Sequence, residues 1–280
     1  MSNNSPQEPT DKQKLEATLL LIERYNGGME HRLPWDQIRN SINLITESHL
    51  FLGANLPDQV FYRGRLLKPG EHFDHTDSLK APPNSKVTSY GRCNLPSQSV
   101  LYASSNLETV LSELGAHSDD RFQILECRPK KGSEISATIV GEIDHVRRYS
   151  THSNATGPGY ADEIRKYWTT LNSEQRLRLN LVDAFIAEKF KREIKYSFEY
   201  KITSAFSDII FSQNIDSFFY PSVGHVGGLN IAIQADVAEK GFEYTASKIL
   251  RVSECLGYGI FGCIEEAHSR RVEDDGTITF

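Results

Sequence analysis

The alternation of apolar and polar positions divides the chain into a helical front, a strand-rich middle, a second helical block and a strand-rich end. Over Asp11–Tyr25, Leu15, Leu19, Leu20 and Ile22 fall roughly on one helix face, and Gly27-Gly28 stops the run. Pro34 opens a second helix over Trp35–Ser48, with Trp35, Ile38, Ile42 and Ile45 at helical spacing. The two read as a hairpin in front of a main domain, behind a polar tail over residues 1 to about 10 that reads as disordered. From Val60 the period shortens. Val60–Leu67 carries charges at alternate positions and reads as a strand, while residues 68–90 are rich in Pro, Gly and polar residues and read as a loop. Ser99–Ala103 is a short strand. Asn106 caps a helix over Leu107–Leu114 that Gly115 ends, and Phe122–Cys127 is a further strand.

Residues 135–148 fit neither period, and Thr151–Tyr160 is turn-rich. A helical block follows. Asp162–Leu171 is one helix, Asn172-Ser-Glu-Gln175 resembles a capping box for a long helix to about Arg192, and Lys201–Ser212 is a third. Strands return at Ser217–Tyr220 and Leu229–Gln234, then a helical turn at Asp236–Lys240. Lys248–Val252 reads as the last core strand, and the chain after Glu265 is polar. This succession predicts the α+β class, a mixed or antiparallel sheet core with helical additions. The boundaries read as a tail and hairpin over residues 1–54 and a main domain over residues 55–280, with a helical insertion at about residues 155–213.

Composition narrows the setting. A net charge of −6 argues against a general nucleic-acid binder, whose affinity comes from a basic surface. The four cysteines, Cys93, Cys127, Cys255 and Cys263, form no CxxC pair, so a reduced, cytoplasmic setting is expected. No apolar run approaches the ~20 residues that span a bilayer. The N-terminus lacks the apolar stretch of a signal peptide. Export without such a signal stays open.

The candidate chemistry gathers between Gly91 and Glu113. A guanidinium (Arg92), a phenol (Tyr102) and a carboxylate (Glu113) follow one another across a loop, a strand and a helix. Arg63, Arg65 and Arg92 can hold a phosphate or carboxylate with a planar fork, or can be surface charges. Gly91 and Asn94 flank Arg92, and glycine lets a backbone approach a ligand closely. Glu113, beside Val110, Leu111 and Leu114, is either solvent-facing or half-buried with a partner. In the second case its charge would favour an oxocarbenium-like ribosyl transition state. Tyr102 stacks on a flat ring or belongs to the core. Ser222 bonds a ribose hydroxyl or caps a turn, and no Gly-x-Ser-x-Gly elbow surrounds it. His225 is close enough in sequence to line the same pocket. Gly224-His-Val-Gly-Gly228 matches no phosphate-binding fingerprint and reads as a turn. His72-Phe-Asp74-His75 lacks further ligands and reads as a polar loop, so no metal site is expected.

Together these motifs resemble the RES-domain family, named for an arginine, a glutamate and a serine. The resemblance rests on Tyr62-Arg63, Gly91-Arg92-Cys93-Asn94, Leu101-Tyr102-Ala103-Ser104, Glu113, Tyr220-Pro221-Ser222 and Asn230-Ile231-Ala232-Ile233. It implies an ADP-ribosyltransferase-like fold and, for several members, a toxin that degrades NAD+ by phosphorolysis or hydrolysis, with an Xre-type antitoxin blocking the site. By that resemblance Arg92, Glu113 and Ser222 are the catalytic set. Arg92 and Arg63 would bind the phosphates or ribose and Tyr102 would pack on the nicotinamide side; Tyr62, Asn94 and His225 complete the candidate substrate-binding set. NAD+ is then the substrate, with phosphate or water as the acceptor and no resident cofactor. ADP-ribosyl transfer to a macromolecule, or a silent binding module, are the rival readings. The chain departs from the compact family pattern in Cys93, where Trp is common, in the N-terminal helices, and in the insertion, which would cover the cleft, replace an antitoxin contact or mediate self-association.

Overall fold

The computed structural model describes residues 8–28, 32–47 and 49–280. Most of the expected tail, and Ser48 at the end of the second helix, lie outside these residues. Helix α1 (Asp11–Asn26) starts at Thr10 in a capping box with Gln13, and α2 (Trp35–Thr46) follows Pro34. Strands β1 (Gly53–Asn55), β2 (Phe61–Leu67) and β3 (Val100–Ser104) lead to α3 (Leu107–Glu113), capped by Asn106. Then come β4 (Arg121–Pro129), β5 (Ser136–Ile139) and α4 (Glu142–Tyr149). Helices α5 (Tyr160–Thr169), α6 (Ser173–Lys191) and α7 (Lys201–Ser212) form the helical block. The chain ends with β6 (Ser217–Pro221), β7 (Leu229–Gln234), α8 (Ala235–Gly241), β8 (Phe242–Gly257), β9 (Ile260–His268), β10 (Arg271–Val272) and β11 (Ile278–Thr279).

The architecture is the expected α+β. A nine-stranded sheet runs in the order β1-β5-β6-β7-β3-β2-β4-β8-β9, antiparallel except for the parallel pair β5/β6. In β6 the pleat sends Phe218 and Tyr220 to one face and Phe219 to the other. Phe218 meets Phe190 of α6 and Phe206 and Phe211 of α7, with ring centroids 5.4–6.2 Å apart. Phe219 joins Phe61, Leu101, Ile231 and Ile233 in the opposite core.

Helices α1 and α2 rest on α6 and α7 rather than on the sheet. Ile22, Tyr25, Ile38, Ile42 and Ile45 share one core with Val182, Phe185 and Phe206. Helix α6 also supplies cations to the carbonyls that end both front helices. Lys189 Nζ donates to Tyr25 O at 2.9 Å, and Arg178 donates to Leu44 O, Ile45 O and Glu47 O at 3.2, 3.2 and 2.7 Å. A cation at a helix C-terminus satisfies orphan carbonyls and the dipole together.

Two expectations need correction. Lys248–Val252 holds the last buried residues of the main sheet, Ile249, Leu250 and Val252, but it is neither a whole strand nor the last one. It is the middle of the long β8, and β9 follows after a turn at Gly257-Tyr258-Gly259, all three at positive φ. Gly262 and the pair Glu265-Glu266 hide β9's alternation, which an edge strand facing solvent does not need. Residues 135–148, which fitted no period, split into β5 and α4. The start of α4 is held by buried Asp183, whose carboxylate accepts from the Asp144 N–H at 2.7 Å. No helix among the described residues is long and apolar enough to cross a membrane.

Candidate active site

The candidate site opens where the sheet is split. Strands β2 and β3 are registered at one residue pair, Tyr62↔Ser104, while each pairs along much of its length with its other neighbour. Arg63 bridges the gap. Its Nη1 donates to Tyr102 O at 2.9 Å and its Nε donates to Leu79 O. Burial, and then the neighbouring Arg65, push its pKa below the ordinary arginine value, though a guanidinium remains charged. Gly64 allows the closeness of α3 to β2, since a Cβ there would lie 2.7 Å from Val110 Cγ1. Above the gap lies a cleft of about 500 Å³, within the range of small-molecule sites. Tyr62, Arg63, Arg92, Asn94, Tyr102 and Glu113 all line it.

Glu113 is the last residue of α3, where the helix dipole disfavours a carboxylate by ~0.3–1 kcal/mol. Three donors converge on its Oε1: the Ser222 hydroxyl at 2.5 Å, the Val223 N–H at 2.9 Å and the Asn230 amide at 2.9 Å. Hydrogen bonds to a charged group contribute ~1.5–3 kcal/mol each, so even after a discount for this exposed side chain the three outweigh the dipole. Asn230 is itself oriented, because its Oδ1 accepts from the Ser104 hydroxyl at 2.6 Å. Oε2 of Glu113 makes no hydrogen bond among the described residues. The carboxylate is therefore anchored through one oxygen and offers the other.

The anchor is a tight loop. Ser222 N–H donates to Gly228 O, Gly228 N–H to His225 O and His225 N–H to Ser222 Oγ, at 2.9, 3.0 and 3.0 Å. A Cβ on Gly224 would lie 2.6 Å from Ser112 O, so glycine is what lets the loop close on the end of α3. Ser222 spends its proton on Glu113, and it lies behind the carboxylate rather than in the cleft wall. His225 does not line the cleft either, contrary to the expectation from sequence. Its Nδ1 is 2.8 Å from Thr109 Oγ1, and its ring packs against the turn at Gly259.

Arg92 rides on the turn Gly91–Asn94, closed by Gly91 N–H donating to Asn94 O at 3.1 Å. The Tyr102 hydroxyl shapes this turn, donating to Asn94 Oδ1 and accepting from Cys93 N–H, both at 2.8 Å. Burial raises the Tyr102 pKa well above the usual phenol range, which keeps the hydroxyl a donor at neutral pH. A Cβ on Gly91 would collide with Asn94 Oδ1. Cys93 is fully buried, and burial pushes its thiol up, so it is a small packing residue rather than a nucleophile. Tyr102 and Asn94 thus form both the cleft wall and the scaffold of the Arg92 turn. Arg65 lies at the rim, with its Nη1 on Ser78 O and its guanidinium over the Phe73 ring.

Sequence reasoning gave no role to Asn230, Ser104, Tyr200 or Tyr220, all of which line the cleft. A signal existed for Asn230, a buried amide among apolar neighbours, Leu229, Ile231, Ala232 and Ile233; such a group needs partners. Nothing in the sequence pointed to Tyr200. The His72–His75 stretch serves the loop, with His72 Nε2 2.9 Å from Asp74 Oδ1 and His75 Nε2 2.8 Å from Asp275 O. Among the described residues no three His, Cys, Asp or Glu are grouped to hold a metal ion.

Residues 65–252, more than half of the chain, match the model of the RES domain, and the protein belongs to the RES-domain family. The matched span includes Arg92, Glu113, Ser222 and the helical block, and begins just after Tyr62-Arg63. No curated protein matches the chain significantly. Among solved structures, a chain of the M. tuberculosis MbcT–MbcA toxin–antitoxin complex is similar, with a TM-score of 0.39 and 10% identity. The superposition covers 75% of this chain and 90% of that one.

Proposed function

We propose that this protein is an NAD+-consuming enzyme that breaks the bond between nicotinamide and ribose. The observation that carries the reading is Glu113, anchored through Oε1 with Oε2 unengaged, in a cleft that also holds the cationic fork of Arg92. When the N-glycosidic bond breaks, its electron pair leaves with nicotinamide, which becomes neutral, and positive charge develops on the ribose. A fixed carboxylate beside the ribose stabilises that charge without having to reorganise. Arg92, and Arg63 through its remaining N–H groups, bind the phosphates. Attack by water yields ADP-ribose and a proton. Attack by phosphate yields the ADP-ribose 1″-phosphate.

Ser222 acts in this scheme through Glu113, as a positioning residue. Family membership supports a toxin role, and with it a protein partner of the Xre antitoxin type that silences the enzyme. Purified protein incubated with NAD+, with and without phosphate, tests the reading. Release of nicotinamide supports it, and the second product identifies the acceptor. Labelled ADP-ribose on protein or nucleic acid would instead mark a macromolecular acceptor, and intact NAD+ would refute the reading.

A further inference from the structure

The helical block makes three contacts with the Gly91–Asn94 turn. First, Arg92 Nη1 donates to Phe190 O and Arg192 O at 2.6 and 3.2 Å. These carbonyls close the C-terminal end of α6, the negative end of its dipole. Second, Arg92 Cζ lies 5.3 Å from the centroid of the Tyr200 ring, within cation–π range. Third, Ser204 Oγ sits 2.8 Å from Gly91 O and 2.7 Å from Tyr200 O, so its single proton serves the turn and the Tyr200 backbone alternately.

An arginine has five N–H donors in a rigid plane. Here Nη1 is committed to the end of α6, and Nε and Nη2 make no hydrogen bond among the described residues. The plane of the guanidinium, and hence the direction of those free donors, is set by what lies against its face. Tyr200 supplies that face while also lining the cleft. The Tyr200 hydroxyl makes no hydrogen bond among the described residues, so the ring face and not the phenol is the working part.

We infer that Tyr200 is a positioning residue: its ring, brought in by the helical block, orients the free donors of Arg92 toward the anionic part of the ligand. The inference rests on the reading of Arg92 as the anion-binding group of the cleft. It also gives the block a role in the site, since α6 and α7 complete the arginine's surroundings.

The test uses the full-length protein with Tyr200→Phe, Tyr200→Leu and Tyr200→Ala. Leucine keeps apolar bulk but has no ring quadrupole, which separates orientation from packing. Losing a cation–π platform is expected to raise KM for NAD+ about 3- to 30-fold in the Leu and Ala variants, with kcat within about twofold. Tyr200→Phe is expected to recover the wild-type KM to within about twofold, because the phenol is not used. Equal KM values for the Phe and Leu variants, or a fall in kcat at constant KM, would overturn the inference. A second measurement needs no turnover: the nuclear magnetic resonance signal of Arg92 Nε–H, assigned by its loss in Arg92→Lys. It should be ring-current shifted in the wild type and Tyr200→Phe, and move to the random-coil position in Tyr200→Leu. An unmoved signal in Tyr200→Leu would overturn the inference even if NAD+ is turned over. A moved signal would sustain it even if NAD+ is not the substrate.

Discussion

Replacing Asn230 with alanine tests the anchoring of Glu113 without reference to any substrate. The substitution removes the 2.9 Å hydrogen bond to Glu113 Oε1 and, at the same stroke, the acceptor of the Ser104 hydroxyl at 2.6 Å. Ser104 and Asn230 are both buried, so water does not replace the lost partners easily. A hydrogen bond to a carboxylate contributes ~1.5–3 kcal/mol, reduced here to about 1 because Glu113 is exposed, and an orphaned buried hydroxyl costs ~1–3 kcal/mol. The expected destabilisation is therefore ~2–4 kcal/mol, a large share of the ~5–15 kcal/mol typical of a folded protein. Urea unfolding followed by circular dichroism reads it as a midpoint lowered by about 1 M at unchanged slope. The companion variant is sharper. Ser104→Ala alone should destabilise, but in the Asn230→Ala background it should be neutral or stabilising, because it then removes an unsatisfied group. Asn230→Ala within ~0.5 kcal/mol of wild type, or additive effects of the two substitutions, would refute the coupled Ser104–Asn230–Glu113 arrangement.

Glu113→Gln keeps an acceptor at Oε1 but removes the charge, so NAD+ turnover should fall by at least ~100-fold while the melting temperature stays within a few degrees. Gly224→Ala would place a Cβ 2.6 Å from Ser112 O; it should cost ~1–3 kcal/mol in urea unfolding and lower turnover as the loop retreats from Glu113. Acid titration of stability probes Glu266, whose pKa is held below the usual carboxylate range chiefly by its hydrogen bond from Arg121, then by Arg251. A depressed folded pKa stabilises above the unfolded value of 4.5 and the effect is lost as pH falls through the folded one. Glu266→Gln should therefore be less stable than wild type at neutral pH by under ~1 kcal/mol, with the gap closing below about pH 4. A gap that persists at low pH would contradict this.

Much of the site was legible because its chemistry sits on short local signals. Asn106 as a cap and Gly115 as a stop located α3, which put Glu113 at a helix end. Gly91 beside Arg92 announced a close approach, and the structure shows what approaches, the Asn94 side chain. The capping box at Asn172 located the start of α6. The residues that escaped act across long sequence separations. The Arg92–Phe190 and Glu113–Ser222 contacts join positions far apart in the chain, and no period or spacing records such a meeting. Ser222 was read as bonding a ribose hydroxyl or capping a turn; its oxygen does cap the turn, accepting from His225 N–H, while its proton goes to Glu113. A hydroxyl's partner is decided by tertiary packing alone. Strand β9 was missed because an exposed edge strand carries little of the alternation that burial imposes.

The central claim is that Glu113 stabilises positive charge on a ribose as nicotinamide leaves. Its most direct test is mass spectrometry of the products after wild-type protein and Glu113→Gln are each incubated with NAD+, with and without phosphate. The expected result is nicotinamide together with ADP-ribose or its 1″-phosphate from the wild type, and intact NAD+ from the folded Glu113→Gln variant. NAD+ left whole by the wild type, or equal turnover by both proteins, would contradict the claim.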